Sequence, residues 1–194
     1  MSRSLTFGGA LLALTLGLTG CATNDVQESA APLEAPQQEF LGAYGLEGMD
    51  TVEVIDYLDR LALPDHPTDL MASVMPDHLA LSSSNTAFAM SLPDDTSYLS
   101  IAPYVTQTHE CYYHSLTTCE GELSNANVHV KIVDETGEVL VEEDTTTFDN
   151  GFVGVWVPRD TAGTIEISYD GMTGTTEFVA TDDGATCITD LHLT

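Results

Sequence analysis

The rhythm of apolar and polar positions changes once along this 194-residue chain. Phe40, Leu41 and Tyr44 share one helical face, and Gly45 is suited to ending that turn. Asp50-Thr51-Val52-Glu53 has capping-box spacing and opens a second predicted helix, with Ile55, Leu58 and Leu61 or Ala62 along one side. Pro64 and Pro67 close it, and Arg60 suits the negative end of its dipole. Both helices read as packing units without a reactive group. Short apolar runs follow at 70–74, 79–82 and 86–92, with 83–85 as a hairpin turn, then an extended run at 98–105 interrupted by Pro103.

From residue 127 the period becomes two. Val128, Val130 and Ile132 face one way, and further strands are predicted around 139–141, 145–148, 152–157, 164–169, 175–180 and 187–193. The turns between them include Asp149-Asn150-Gly151 and Asp170-Gly171. The expected fold is an α+β N-terminal region of short helices plus a small sheet (39–108), a connecting segment (109–126) and a C-terminal β-sandwich domain (127–194).

The N-terminal end reads as an export signal over 1–20, with Arg3 followed by an apolar run from 5 to 18 that is short for a membrane span of ~20 residues. Leu18-Thr19-Gly20-Cys21 resembles the lipobox of bacterial lipoproteins. On that resemblance Cys21 is a lipid anchor and stands apart from any thiol site. Residues 21–38, rich in Ala, Pro, Gln and Glu, read as a disordered tether. The folded part is therefore expected outside the cytoplasm, lipid-anchored to the outer face of the cell membrane or to the periplasmic side of a membrane.

Charge narrows the partners. The formal net charge is −27, and beyond the leader only Arg60, Lys131 and Arg159 are basic. Such a chain does not neutralise nucleic-acid phosphates and repels anionic headgroups, which leaves the anchor as its membrane contact. Scattered acids of this kind make a solvated surface suited to high salt. Glu142-Glu143-Asp144 and Asp182-Asp183 lack the loop pattern of a calcium site. No phosphate loop, nucleophile elbow or His-Glu-x-x-His helix is present, so no catalytic residue is assigned.

The chemistry concentrates in residues 109–119, which hold His109, Cys111, His114 and Cys119. Thiolate sulfur and imidazole nitrogen together select copper(I) or zinc over hard cations, which take oxygen. The spacing H-x-C-x2-H-x4-C is too irregular for a zinc finger. Cys187 makes the count of exported thiols odd, and alternation points it inward with Thr189, Leu191 and Leu193. His129 and His192 read as ordinary strand residues.

Three accounts fit these residues. Cys111, Cys119 and Cys187 could be soft-metal ligands with His109 or His114 auxiliary. Cys111 and Cys119 could cycle as a redox pair with Cys187 resolving. Or a Cys111–Cys119 staple could close a loop in a structural surface module, with Cys187 a buried free thiol and the histidines on the surface of a polar loop.

Several blocks together resemble the CueP family of exported bacterial copper-binding proteins: Phe40-Leu41-Gly42, Asp69-Leu70-Met71-Ala72-Ser73-Val74, Ala102-Pro103-Tyr104-Val105, Thr108-His109-Glu110-Cys111, Cys119-Glu120-Gly121-Glu122-Leu123, Thr147-Phe148-Asp149-Asn150-Gly151-Phe152 and Cys187. The resemblance implies a copper-resistance protein that binds copper, with copper(I) favoured and zinc an alternative, through Cys111, Cys119 and Cys187. It also implies storage of copper or its delivery to an exported copper-requiring enzyme, and a thiol-linked reduction of metal ions has been attributed to the family. A homodimer is a further partner the sequence leaves open. The lipobox departs from the soluble periplasmic relatives and sits poorly with a diffusing carrier.

Overall fold

The computed structural model describes residues 33–194, so the export signal, Cys21 and most of the tether lie outside the described residues. Helix α1 (Ala35–Ala43) begins inside the segment expected to be tether, because Pro36 sits in its first turn and Glu34 and Gln37 exchange capping hydrogen bonds. Phe40 and Leu41 are its buried face, and Gly45 follows it at φ 72°, a left-handed turn that glycine adopts without strain. Helix α2 (Thr51–Asp59) is capped as its sequence predicts, with the Asp50 carboxylate accepting from the Glu53 amide at 2.9 Å and Glu53 accepting from the Asp50 amide at 2.9 Å.

Strands β1 (Met71–Val74), β2 (His78–Ser82) and β3 (Ala87–Ser91) make an antiparallel meander. The two-residue β5 (His114–Ser115) pairs with β1 and completes the order β3-β2-β1-β5. Both helices pack on this sheet through Leu41, Val54, Ile55, Leu58, Ala72, Val74, Leu79 and Leu81.

The other strands build the sandwich. Strands β6 (Asn127–Asp134), β7 (Val139–Thr146), β9 (Thr161–Tyr169) and β10 (Met172–Ala180) form an antiparallel sheet in the order β10-β9-β6-β7. Facing it is a three-stranded sheet in which β4 (Thr96–Ile101) lies between antiparallel β8 (Val153–Pro158) and parallel β11 (Cys187–Ile188). Val128, Val130, Ile132, Ile165, Ile167 and Phe178 meet Leu99, Ile101, Val153, Val155 and Val157 between the two sheets.

The opposite face of β4 and β8 is also covered. Tyr98 belongs to the helix-side core, with Trp156 packed against that core and its ring centroid 4.9 Å from that of Tyr98. β4 is therefore buried on both sides, and its alternation separates two cores: Leu99 and Ile101 turn to the sandwich, while Tyr98 and Ser100 turn to the end of α2. Among the described residues no helix is long and apolar enough to cross a membrane.

Candidate metal centre

The segment 111–119 is fixed to the sheets at several points. The carbonyl of Tyr112 accepts from the amides of Thr186 (3.0 Å) and Cys187 (3.1 Å), which ties the loop to the start of β11. The buried Thr186 hydroxyl accepts from the His114 amide at 3.0 Å and donates to the Val74 carbonyl at 2.6 Å. β11 in turn is placed by its parallel pairing with β4, Cys187 opposite Ser100. Cys187 thus meets residues 111–119 although more than sixty residues separate them in sequence, a gap no spacing rule bridges.

After β5 the chain folds into a single tight turn in which the Ser115 carbonyl accepts from the Cys119 amide at 3.1 Å. That turn brings the Cys119 sulfur to 3.4 Å from the Ser115 amide. On its far side Gly121 and Gly151 lie back to back, the Gly121 amide donating to the Asn150 carbonyl at 2.6 Å. A Cβ on Gly121 would fall 2.9 Å from the Gly151 carbonyl oxygen, and Gly151 has φ 82°, so both positions need glycine. This close approach delivers Asn150 and Phe152 to the site. The loop before it is held by Glu122, whose carboxylate accepts from the amides of Val105 (2.6 Å) and Thr106 (2.9 Å) and from the Thr106 hydroxyl. The Thr106 hydroxyl and these amides hold Glu122 down to about 2.

The three cysteines among the described residues are unbridged, with Cys111 and Cys119 half-buried and Cys187 only 2% exposed. The Cys111 and Cys119 sulfurs are 3.6 Å apart, in contact and unbonded. Two groups of donors meet, each within 4.8 Å throughout: His109, Cys111 and Cys119 toward the surface, and His114, Cys119 and Cys187 inside. Cys119 belongs to both. Ala102 and Phe152 pack around the sulfurs as an apolar wall. From solvent, Cys111 and Cys187 are reached through a cleft of about 430 Å³ that His109, Tyr112, Glu177 and Asp190 also line. His114 is fully buried, which decides between the surface and interior positions that sequence leaves open for it, whereas His109 is exposed.

The helices carry more than packing. Asp59, at the last position of α2, is fully buried behind His114, contrary to the expectation that neither helix holds a reactive group. Its Oδ1 lies 2.9 Å from His114 Nε2 and accepts from Asn150 Nδ2 at 2.8 Å, while its Oδ2 accepts from the Tyr98 hydroxyl at 2.6 Å. The Ser100 hydroxyl is 3.3 Å from the same Oδ2. Because a carboxylate only accepts, the proton between Asp59 and His114 sits on Nε2, and His114 Nδ1 is turned to the Cys187 sulfur at 3.8 Å. No sequence motif marks Asp59, Tyr98, Ser100 or Asn150 as site residues. Only the polar Asp59 on an otherwise apolar helical face could have drawn attention.

Electrostatics follow from these contacts. Burial alone would drive Asp59 up, but the charge and hydrogen bond of His114, with the Tyr98 and Asn150 donors, hold it below the usual carboxylate range. Burial also disfavours a charged imidazole, and the Asp59 charge and hydrogen bond outweigh it, carrying His114 up to about 9. A hydrogen bond from the Cys187 thiol outweighs burial and, with His114 alongside, brings Cys119 down to about 3. Burial pushes Cys111 up to about 11, and the hydrogen bond to Cys119, then burial, hold Cys187 well above the ordinary thiol range. At neutral pH the trio carries one thiolate, on the shared residue Cys119. A soft cation meets there one ready thiolate, two thiols and an imidazolium that it can deprotonate.

Comparison with known proteins supplies an independent line. Residues 53–192 match the sequence profile of a family described as the periplasmic copper-binding protein CueP. A solved crystal structure of S.CueP superposes with a TM-score of 0.79 at 36% sequence identity, covering 84% of this chain and 100% of that one. No curated protein sequence matches the chain.

Proposed function

Since the chain belongs to the CueP family of periplasmic copper-binding proteins, we propose that it holds copper as cargo through the sulfurs of Cys111, Cys119 and Cys187. The observation that carries this is the meeting of Cys187 with Cys119 inside one 4.8 Å donor group, with Cys111 in sulfur contact with Cys119. Three sulfurs of this softness favour copper(I) over copper(II), and zinc is the competing ion. His109 and His114 are auxiliary donors, one at the surface and one inside. Storage or hand-over outside the cytoplasm suits a site that is half-buried and reached through an open cleft.

Titration of the reduced protein with copper(I) against a chelating competitor tests the assignment. One ion is expected per chain, with affinity falling at least about tenfold in each of Cys111→Ser, Cys119→Ser and Cys187→Ser, roughly the loss of 1.4 kcal/mol or more per ligand. Unchanged affinity in all three variants would remove the thiolate site. Anchoring through Cys21 is part of the same proposal and has its own check: Cys21→Ser should move the protein from the membrane fraction to the soluble one.

A second account draws on the 3.6 Å contact between a thiolate at Cys119 and a thiol at Cys111. Oxidation of that pair to a disulfide would release two electrons and the thiol proton, enough to reduce two copper(II) ions to copper(I). Anaerobic mixing with copper(II) would then yield two copper(I) per disulfide formed. Copper(I) without loss of thiols would exclude it.

A further inference from the structure

Asp59 is the one fully buried carboxylate among the described residues, and the assignments above give it no role toward the metal. A buried carboxylate is retained at a cost unless its acceptor positions are filled, and here they are filled from four directions: His114, Asn150, Tyr98 and Ser100. The neighbours are themselves arranged for this. A Cβ at Gly154 on β8 would collide with the Tyr98 phenol, so that glycine is the space through which the hydroxyl reaches Asp59. Asn150 spans the carboxylate and the α2 terminus, donating to Asp59 Oδ1 at 2.8 Å and to its backbone carbonyl at 3.3 Å, while its own Oδ1 accepts from the Phe152 amide at 3.0 Å. Phe152 then packs on the imidazole, ring centroids 4.5 Å apart. The ring of His114 is clamped at its edge and on its face, and the nitrogen left over is Nδ1, the one in the inner donor group with Cys119 and Cys187.

We propose that Asp59 is a positioning residue for the copper site: by accepting the hydrogen bond of the His114 Nε2–H within a cage of four donors, it fixes the ring so that Nδ1 is presented beside the Cys119 and Cys187 sulfurs as a ligand. The inference rests on the thiolate reading above and goes beyond it, since three sulfurs could hold the ion with His114 a bystander. The arrangement has the logic of outer partners in metal sites generally, where a carboxylate on the far nitrogen sets the tautomer and raises the basicity of the ligating one; removing such a partner costs about 10- to 100-fold in affinity. His114 is neutral at Nδ1 when it ligates, and the displaced proton leaves to solvent.

The test uses nitrogen-15 NMR of the histidine rings, with carbon-13 labels at the cysteine Cβ, in the reduced full chain before and after one equivalent of copper(I). Nε2 of His114 should carry a proton throughout, and its Nδ1 signal should move on loading together with the cysteine Cβ signals. Cysteine shifts with an unmoved His114 Nδ1 would overturn the positioning role and leave the thiolate reading standing. Absence of both responses would defeat the two together. In Asp59→Asn, copper(I) affinity should fall about 10- to 100-fold with the Nδ1 response lost and the cysteine response kept. Wild-type affinity with an intact Nδ1 response in that variant would contradict the proposal; if the variant does not fold, the wild-type spectra decide.

Discussion

At the scale of single residues, the three cysteines are chemically unequal. Cys119 holds a thiolate because Cys187 donates to it and His114 stands beside it, whereas burial keeps Cys111 protonated. Alkylation should read this directly: between pH 5 and 8 the rate at Cys119 is expected to stay flat, while that at Cys111 rises about tenfold per pH unit from a lower starting value. Parallel pH dependence of the two, followed by peptide mass spectrometry, would show the thiols to be equivalent. Asp59 lends itself to a stability measurement. Its removal as Asp59→Ala leaves a buried imidazolium and three other donors without their acceptor, a loss of about 3–5 kcal/mol in denaturant unfolding at pH 6. The sign with pH follows from His114, whose folded value is raised from 6.5 to about 9. Its stabilisation by Asp59 is complete below about pH 6.5 and fades as the pH rises through 9, so the penalty of Asp59→Ala should shrink at pH 10. A penalty that grows there would contradict the ion pair.

At the scale of elements, most strands and both helices were legible, because each is written in local chemistry: the Asp50 capping box for α2, the alternation from Val128 to Ile132 for β6, the Gly171 turn between β9 and β10. What was not legible is pairing. β4 stands in the sequence beside β1, β2 and β3, yet it bonds to β8 and β11 from the far end of the chain. Nothing in the alternation of a single strand names its neighbours, and a parallel pair of two residues leaves almost no pattern. The segment 145–148 is not a strand of its own, since β7 runs unbroken from Val139 to Thr146, and the expected strand 187–193 is cut to β11, which stops at Ile188 with an isolated bridge from Tyr104 to His192 beyond it. The contact between β4 and β8 offers an element-level prediction. In Gly154→Ala the added methyl must displace the Tyr98 phenol, so stability should drop by about 1–3 kcal/mol and copper(I) affinity should fall through Asp59, although residue 154 touches no sulfur. Full stability and affinity in that variant would show that the phenol has room to spare.

At the scale of the whole molecule, the site is a product of convergence. The end of α2 brings Asp59, β4 brings Tyr98 and Ser100, the loop leading into β5 brings Cys111, β5 and the turn after it bring His114 and Cys119, the Gly151 turn brings Asn150, and β11 brings Cys187. The cysteine–histidine cluster could be read from composition and the odd thiol count; its buried polar support could not, because Tyr98, Ser100 and Asn150 read as ordinary strand and turn residues, and Asp59, though it shares the helical face of Ile55 and Leu58, is one acid among many in a chain of net charge −27. If the site works as proposed, sulfur from residues 111–119 and sulfur from β11 meet one ion. Copper K-edge X-ray absorption of the copper(I)-loaded reduced protein measures that most directly. A first shell dominated by sulfur is expected, at a coordination number of about three or four with His114 nitrogen included, and it should lose one sulfur in Cys187→Ser. A shell of only nitrogen and oxygen, or one that Cys187→Ser leaves unchanged, would contradict it.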